Sequence, residues 1–181
     1  EKGPGFKSVN VGKTQISGLE FSISGQGKIN NLTINILAGY TYIQPISLTP
    51  DYVYAIVDGN GQELTYNISS SDPSVLKYRY KHLVKFDTEI IFKKLTLGGS
   101  FRYNDFMQNI DAIFADTIFF PTIVPGIPEA RKKFKGGDII IDARLGYQLN
   151  DMLRFGFVVN NLLNREYMSR PANMMPPRTF A

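Results

Sequence analysis

Few residues in this chain are suited to covalent or metal chemistry. His82 is the sole histidine and cysteine is absent. Disulfides, thiolate zinc sites and cysteine nucleophiles are therefore excluded, and one imidazole builds no metal cluster. A Ser-His-Asp relay cannot be argued from that single histidine. Glu20, Asp87, Glu89 and Asp142 recur at strand spacing and do not pair as catalytic acids. No catalytic residue, metal or cofactor is expected, and the chain reads as something other than an enzyme. Asp58, Asn60 and Glu63 offer oxygens near a Gly-rich segment, but their spacing does not complete an EF-type calcium loop. A plain turn between extended segments Val53 to Val57 and Gln62 to Tyr66 is the expectation there.

Binding chemistry is better represented. Tyr52, Tyr54, Tyr66, Tyr78, Arg79 and Tyr80, with His82 close by, form an aromatic and cationic set suited to an anionic chelate or to stacking on sugars. The same set would serve as an interfacial girdle with loop packing. Arg131, Lys132, Lys133 and Lys135 in "ARKKFKGG" read as a solvated or lipid-facing loop near anionic lipid phosphates. One aromatic, Phe134, and no reader motif accompany them, and the formal charge is only +4, so no nucleic-acid partner is expected.

These residues must be positioned by strands. In "IIIDARLGYQL" Ile139, Ile141, Ala143, Leu145, Tyr147 and Leu149 alternate with Asp142, Arg144, Gly146 and Gln148. Past a tight turn at Asn150-Asp151, Leu153, Phe155, Phe157 and Val159 alternate with Arg154 and Gly156. Upstream, Val84, Phe86, Thr88, Ile90 and Phe92 oppose Lys85, Asp87 and Glu89. After Lys93-Lys94, Leu95, Leu97, Phe101 and Tyr103 oppose Ser100, Arg102 and Asn104. Leu19, Phe21 and Ile23 oppose Glu20, and beyond a turn over Gly25 to Asn30 come Leu32 to Tyr42 in the same rhythm. Period-two alternation of this kind defines strands with one apolar and one polar face.

Connections near Gly27, Lys93 and Asn150 are short, whereas those from about Pro45 to Tyr80 and Asp111 to Gly137 are long. Strands of about ten or more residues exceed the globular norm of about five or six. No apolar run reaches the roughly 18 residues of a membrane helix. Alternation alone also suits a soluble antiparallel sheet with one wet face, which stays open as a binding module. Strand length and one-sided loops favour an all-β antiparallel transmembrane barrel segment, with short periplasmic turns and long extracellular loops. Glu20, Lys85, Asp87, Glu89, Arg102, Asp142, Arg144 and Arg154 would then line the lumen, because hydrocarbon rejects charge.

The closing segment "FGFVVNNLLNREYMSRPANMMPPRTFA" resembles the C-terminal end of TonB-dependent outer-membrane receptors. Asn161, Leu162, Leu163, Asn164 and Tyr167 stand where that family carries an Asn-Leu-[Phe/Leu]-Asn-x-x-Tyr element, and Pro176, Pro177 and Arg178 precede the last strand. Gly18, Leu19 and Glu20 match its Gly-[Leu/Val]-Glu. The resemblance implies that residues 1–181 are the C-terminal portion of the barrel, about six or seven of roughly 22 strands. The plug domain and earlier strands would be absent and the last strand incomplete. It further implies active import of a ferric siderophore, cobalamin, oligosaccharide or peptide. The implied partners are outer-membrane lipid, TonB through the absent N-terminal region, the nutrient and a surface lipoprotein. A passive porin-like barrel is the alternative within membrane proteins.

Overall fold

The computed structural model describes residues 10–56, 61–115, 126–171 and 173–181. Its main body is a seven-stranded antiparallel meander. The long strands are β1 (Thr14–Ile29), β2 (Leu32–Ser47), β5 (His82–Phe92), β6 (Leu95–Asn104), β7 (Asp138–Gln148) and β8 (Arg154–Asn160); a short β11 (Thr179–Phe180) completes the sheet. Each pairs with its sequence neighbour in the sheet, and β1 and β11 are the edges. The interposed β3 (Val53–Ile56) and β4 (Glu63–Thr65) form one separate hairpin, and β9 (Met168–Arg170) and β10 (Asn173–Met174) another.

The alternation seen in the sequence survives pairing across the whole sheet. Phe21 opposes Tyr40, Tyr40 opposes Val84, and Val84 opposes Tyr103; Leu97 opposes Leu145, which opposes Phe157. Because side chains alternate with period two, such a register keeps every apolar row on one face. Nothing covers that face among the described residues: Leu19 is 74% exposed, Phe155 59% and Phe157 49%. In water, exposed apolar surface is unfavourable by about 25 cal/mol per Å², so a face of this extent demands another solvent.

The buried core lies elsewhere, under the long links. Met107, Ile110 and Ile127 form a cluster with Tyr78, Tyr80, Phe114 and Ala115 packed against it. Short helical pieces α1 (Tyr66–Ser69), α2 (Ala112–Ala115) and α3 (Ile127–Lys133) belong to these links. Thr65 caps α1 by accepting from the Ile68 backbone N–H, satisfying one of the orphan donors of its first turn.

Three differences from the sequence reading have physical causes. The first hairpin turns at Asn30-Asn31, at the far end of the Gly25–Asn30 segment expected, since Gly25 and Gly27 continue the ladder opposite Ile36 and Ile34. Asn30 takes a φ of 52°, a left-handed conformation that asparagine tolerates better than most residues. The β7–β8 connection spans residues 149–153, longer than an Asn150-Asp151 turn, with Asn150 Oδ1 accepting from the Met152 and Leu153 N–H groups. In the β3–β4 hairpin, Tyr66 leaves the strand to open α1, while Val57, Asp58 and Asn60 lie outside the described residues.

Candidate functional site

The charged face is built by the residues that alternate with the apolar rows. Register places Glu20, Lys85, Asp87, Glu89, Arg102, Asp142, Arg144 and Arg154 together on it: Lys85 opposes Arg102, Asp87 opposes Ser100, Ser100 opposes Asp142, and Gln148 opposes Arg154. Glu20 reaches the same face through Thr41 and Leu83. The face is not uniformly polar, for Leu37 opposes Asp87 and Ile140 opposes Arg102.

Two ion pairs organise this face. Arg102 Nη2 lies 3.2 Å from Asp142 Oδ2, which also accepts from Ser100 Oγ at 2.9 Å. Arg144 Nη2 lies 2.8 and 2.9 Å from the two oxygens of Asp87. That second pair skips a strand. Arg144 sits on β7 and Asp87 on β5, so the arginine must cross β6 at Gly98, its own register partner. A Cβ on Gly98 would approach Arg144 Nε to 2.7 Å. The missing side chain is what lets the guanidinium lie flat over β6. A meeting of adjacent strands describes Arg102 with Asp142, whereas Arg144 reaches past one strand to Asp87. Glu89 accepts from Asn35 Nδ2 at 3.4 Å, and Arg154 lies over Gly146. Glu20, Lys85 and Arg154 take part in no ion pair among the described residues.

At the loop end, the tyrosine set separates. Tyr52 is exposed, Tyr54 is half-buried in β3, and Arg79 is exposed. Tyr66 is only 4% exposed. Its hydroxyl donates to the Val75 carbonyl and accepts from Lys77 N and Asn109 Nδ2, so it holds its own loop together. Tyr78 donates to Asp111 Oδ2, whose other oxygen accepts from Lys77 Nζ at 2.5 Å. Burial, reinforced by the Asp111 carboxylate, pushes the Tyr78 phenol well above its ordinary range. Burial likewise raises Tyr66 and Tyr80.

Asn109, fully buried, joins the two halves of this network, donating to Val75 O and Tyr66 Oη while its Oδ1 accepts from Asp72 N and Ser71 Oγ. That role leaves no mark in the sequence, because a lone asparagine in "MQNID" carries no periodic signal.

The basic segment also departs from the loop expected. Residues Ile127–Lys133 are helical, and Arg131 turns inward, donating to Met107 O at 2.8 Å and Gln108 O at 3.0 Å over the Phe106 ring. Burial lowers the Arg131 pKa. Lys132, Lys133 and Lys135 stay exposed. Beside the helix is a cavity of about 210 Å³, bordered by Tyr80, Phe106, Met107, Ile127, Phe134 and Tyr167.

The closing motif has a mechanical role. Asn161 is buried; its N–H donates to Asp142 Oδ1, and its side chain donates to the carbonyls of Arg165 and Pro176. Asn164 Oδ1 accepts from Arg178 N. With Asn161 and Asn164 both left-handed, at φ of 52° and 50°, the chain leaves β8, makes its excursion and returns so that Phe180 pairs with Val159.

A meander of long strands with one bare apolar face, one charged face and its loops gathered at one end defines the wall of a membrane β-barrel, here not closed. The profile of the TonB dependent receptor-like β-barrel family matches residues 2–162, and the chain belongs to that family. Barrels of this family are outer-membrane proteins that serve transport. Among solved structures, the chain is similar to the ferric-catecholate import receptor Fiu of Escherichia coli K12 in its closed form, with a TM-score of 0.59 and 21% identity. The match covers 93% of this chain and 20% of that one, so this chain spans about a fifth of the receptor's length. No curated protein sequence matches the chain.

Proposed function

We propose that this chain is the C-terminal portion of the barrel of an outer-membrane TonB-dependent active transporter. The bare apolar face meets lipid, the face of Asp87, Arg102, Asp142 and Arg144 lines the lumen, and the long links lie outside the cell. A scarce nutrient is captured at those links and imported to the periplasm with energy delivered by TonB through a region upstream. The observation that carries this reading is the pairing of an uncovered apolar face with a charged face on strands of 10 to 16 residues; a tilted strand needs only about 9 to 11 residues to cross. Likeness to a ferric-catecholate receptor supports siderophores as one nutrient class, and cobalamin, oligosaccharides and peptides remain alternatives for the same machinery.

Fractionation of the native source, with an antibody raised to an exposed link, tests the proposal. The expected result is an outer-membrane polypeptide several times larger than 20.4 kDa that shifts on a denaturing gel when boiled. Nutrient-dependent growth should be lost when TonB is deleted. A soluble band without a heat shift would refute the barrel; a heat-shifting barrel whose uptake ignores TonB would replace active transport with passive permeation.

A further inference from the structure

The cavity beside α3 sits at the loop end of the charged face. One of its walls is Asp138, which falls on the same side of β7 as Asp142 and Arg144. Its chemistry is nevertheless unlike that face. Aromatic and sulfur-bearing side chains are prominent in its lining: Tyr80, Phe106, Phe134 and Tyr167 with Met107 and Met168. Two of the cations beside it are already engaged. Arg131 gives two N–H groups to backbone carbonyls and stacks on Phe106. Arg165 binds Asp138 Oδ1 and Gly137 O, both at 3.0 Å, with its guanidinium 4.2 Å from the Phe134 ring centroid. The Tyr80 hydroxyl is donated to Ser169 O. Free charge remains at the rim, where Glu166 and Arg170 are exposed and of opposite sign.

We propose that this cavity is a capture subsite for one uncharged aryl or branched-alkyl group of the imported nutrient. The inference rests on the transporter reading and narrows its substrate class. A site for an anionic chelate or a sugar needs unspent donors facing the ligand, since a polar group buried without partners is penalised. Here the Arg131 and Tyr80 donors are spent on the protein and the lining is mostly apolar, which makes dispersion and ring contacts the main attraction, to which methionine adapts readily. Size agrees: an apolar cavity of about 150 Å³ accepts benzene, so about 210 Å³ holds one substituted ring and excludes a bulky chelate. The rest of the nutrient would lie outside the cavity, past the Glu166 and Arg170 rim.

The test uses the full-length receptor in lipid nanodiscs and ¹⁹F NMR titration against empty nanodiscs. Three water-soluble probes are compared: 4-fluorobenzyl alcohol, 4-fluorobenzenesulfonate and 2-deoxy-2-fluoroglucose. The neutral aryl probe is expected to bind at least about tenfold more tightly than the other two. Ala130→Phe, which fills the cavity from α3, should weaken that binding by a similar factor while the barrel keeps its heat-shifted mobility. Met168→Phe fills it from β9 and serves if the first variant fails to assemble. Equal binding of the three probes, or aryl binding unchanged in a correctly assembled filled variant, would overturn the proposal. The transporter reading fails separately, by loss of the heat shift or of TonB dependence in the unsubstituted receptor.

Discussion

Gly98 and Arg144 show how a residue that contributes no side chain can decide where a charge goes. Replacing Gly98 with leucine should lift the guanidinium off β6 and break its contact with Asp87. The pair is about two-fifths exposed on each side, so the expected loss is about 1 kcal/mol or less. A double-mutant cycle with Asp87→Asn, read as the heat-shift midpoint, should show the two changes to be non-additive; full additivity would mean that Gly98 serves some other purpose. Gly99 points to the other face, where an added Cβ would meet only the Asp142 carbonyl at 3.8 Å, and Gly99→Ala should be silent by the same readout.

Tyr66→Phe removes a hydroxyl that has three partners. It should destabilise its link by about 1 to 3 kcal/mol, seen as faster amide exchange across residues 66–77 with the sheet unaffected.

The phenols supply a pH prediction. A tyrosine whose folded pKa is raised contributes stability that is complete below its unfolded value of about 10 and is lost as pH climbs through the folded value. The links should therefore loosen only at alkaline pH. Phenolate absorbance should rise later in the intact protein than after denaturation, and Tyr78→Phe should remove part of that delay.

Among elements, the strands divide labour by face. Phe155→Arg or Leu145→Arg puts a charge on the apolar side of β8 or β7, where the cost is about 2 to 4 kcal/mol at bilayer depth, and membrane assembly should fail. Arg154→Ala on the opposite side should be tolerated. Equal assembly of all three, measured by the heat-shifted fraction in the outer membrane, would show the faces to be reversed or the membrane to be absent. The links are elements of another kind. They carry the buried cluster of Met107, Ile110 and Ile127, so they fold around a small core of their own at the rim of the sheet.

For the molecule as a whole, the sheet's two free edges and bare apolar face make the chain a poor soluble protein. Expressed alone without detergent it should aggregate, since open edges and large apolar patches both recruit other chains. A monodisperse monomer in sedimentation would contradict this. In the proposed receptor, closure with further strands removes the edges and lipid covers the apolar face, which is the solution open to β-structure in hydrocarbon.

The order of the six long strands, their two faces and the end at which the links gather could be read from the residues, because alternation of period two is a local property and consecutive antiparallel pairing preserves it. The Asn161 to Tyr167 motif likewise announced the family before any coordinates. What side chains do between distant segments stayed hidden. Gly25 and Gly27 looked like a turn and proved to be strand, since only pairing with Ile36 and Ile34 shows the ladder continuing. Tyr66 and Tyr80 looked alike in sequence, yet one is locked inside a link and the other borders a cavity. Asn109 drew no notice at all. Sequence determined which face each residue occupies, since that follows from counting along one strand. The tertiary structure alone decided which residues meet across strands and links, since that depends on contacts 30 to 60 positions apart, such as Arg144 with Asp87 and Asn109 with Tyr66.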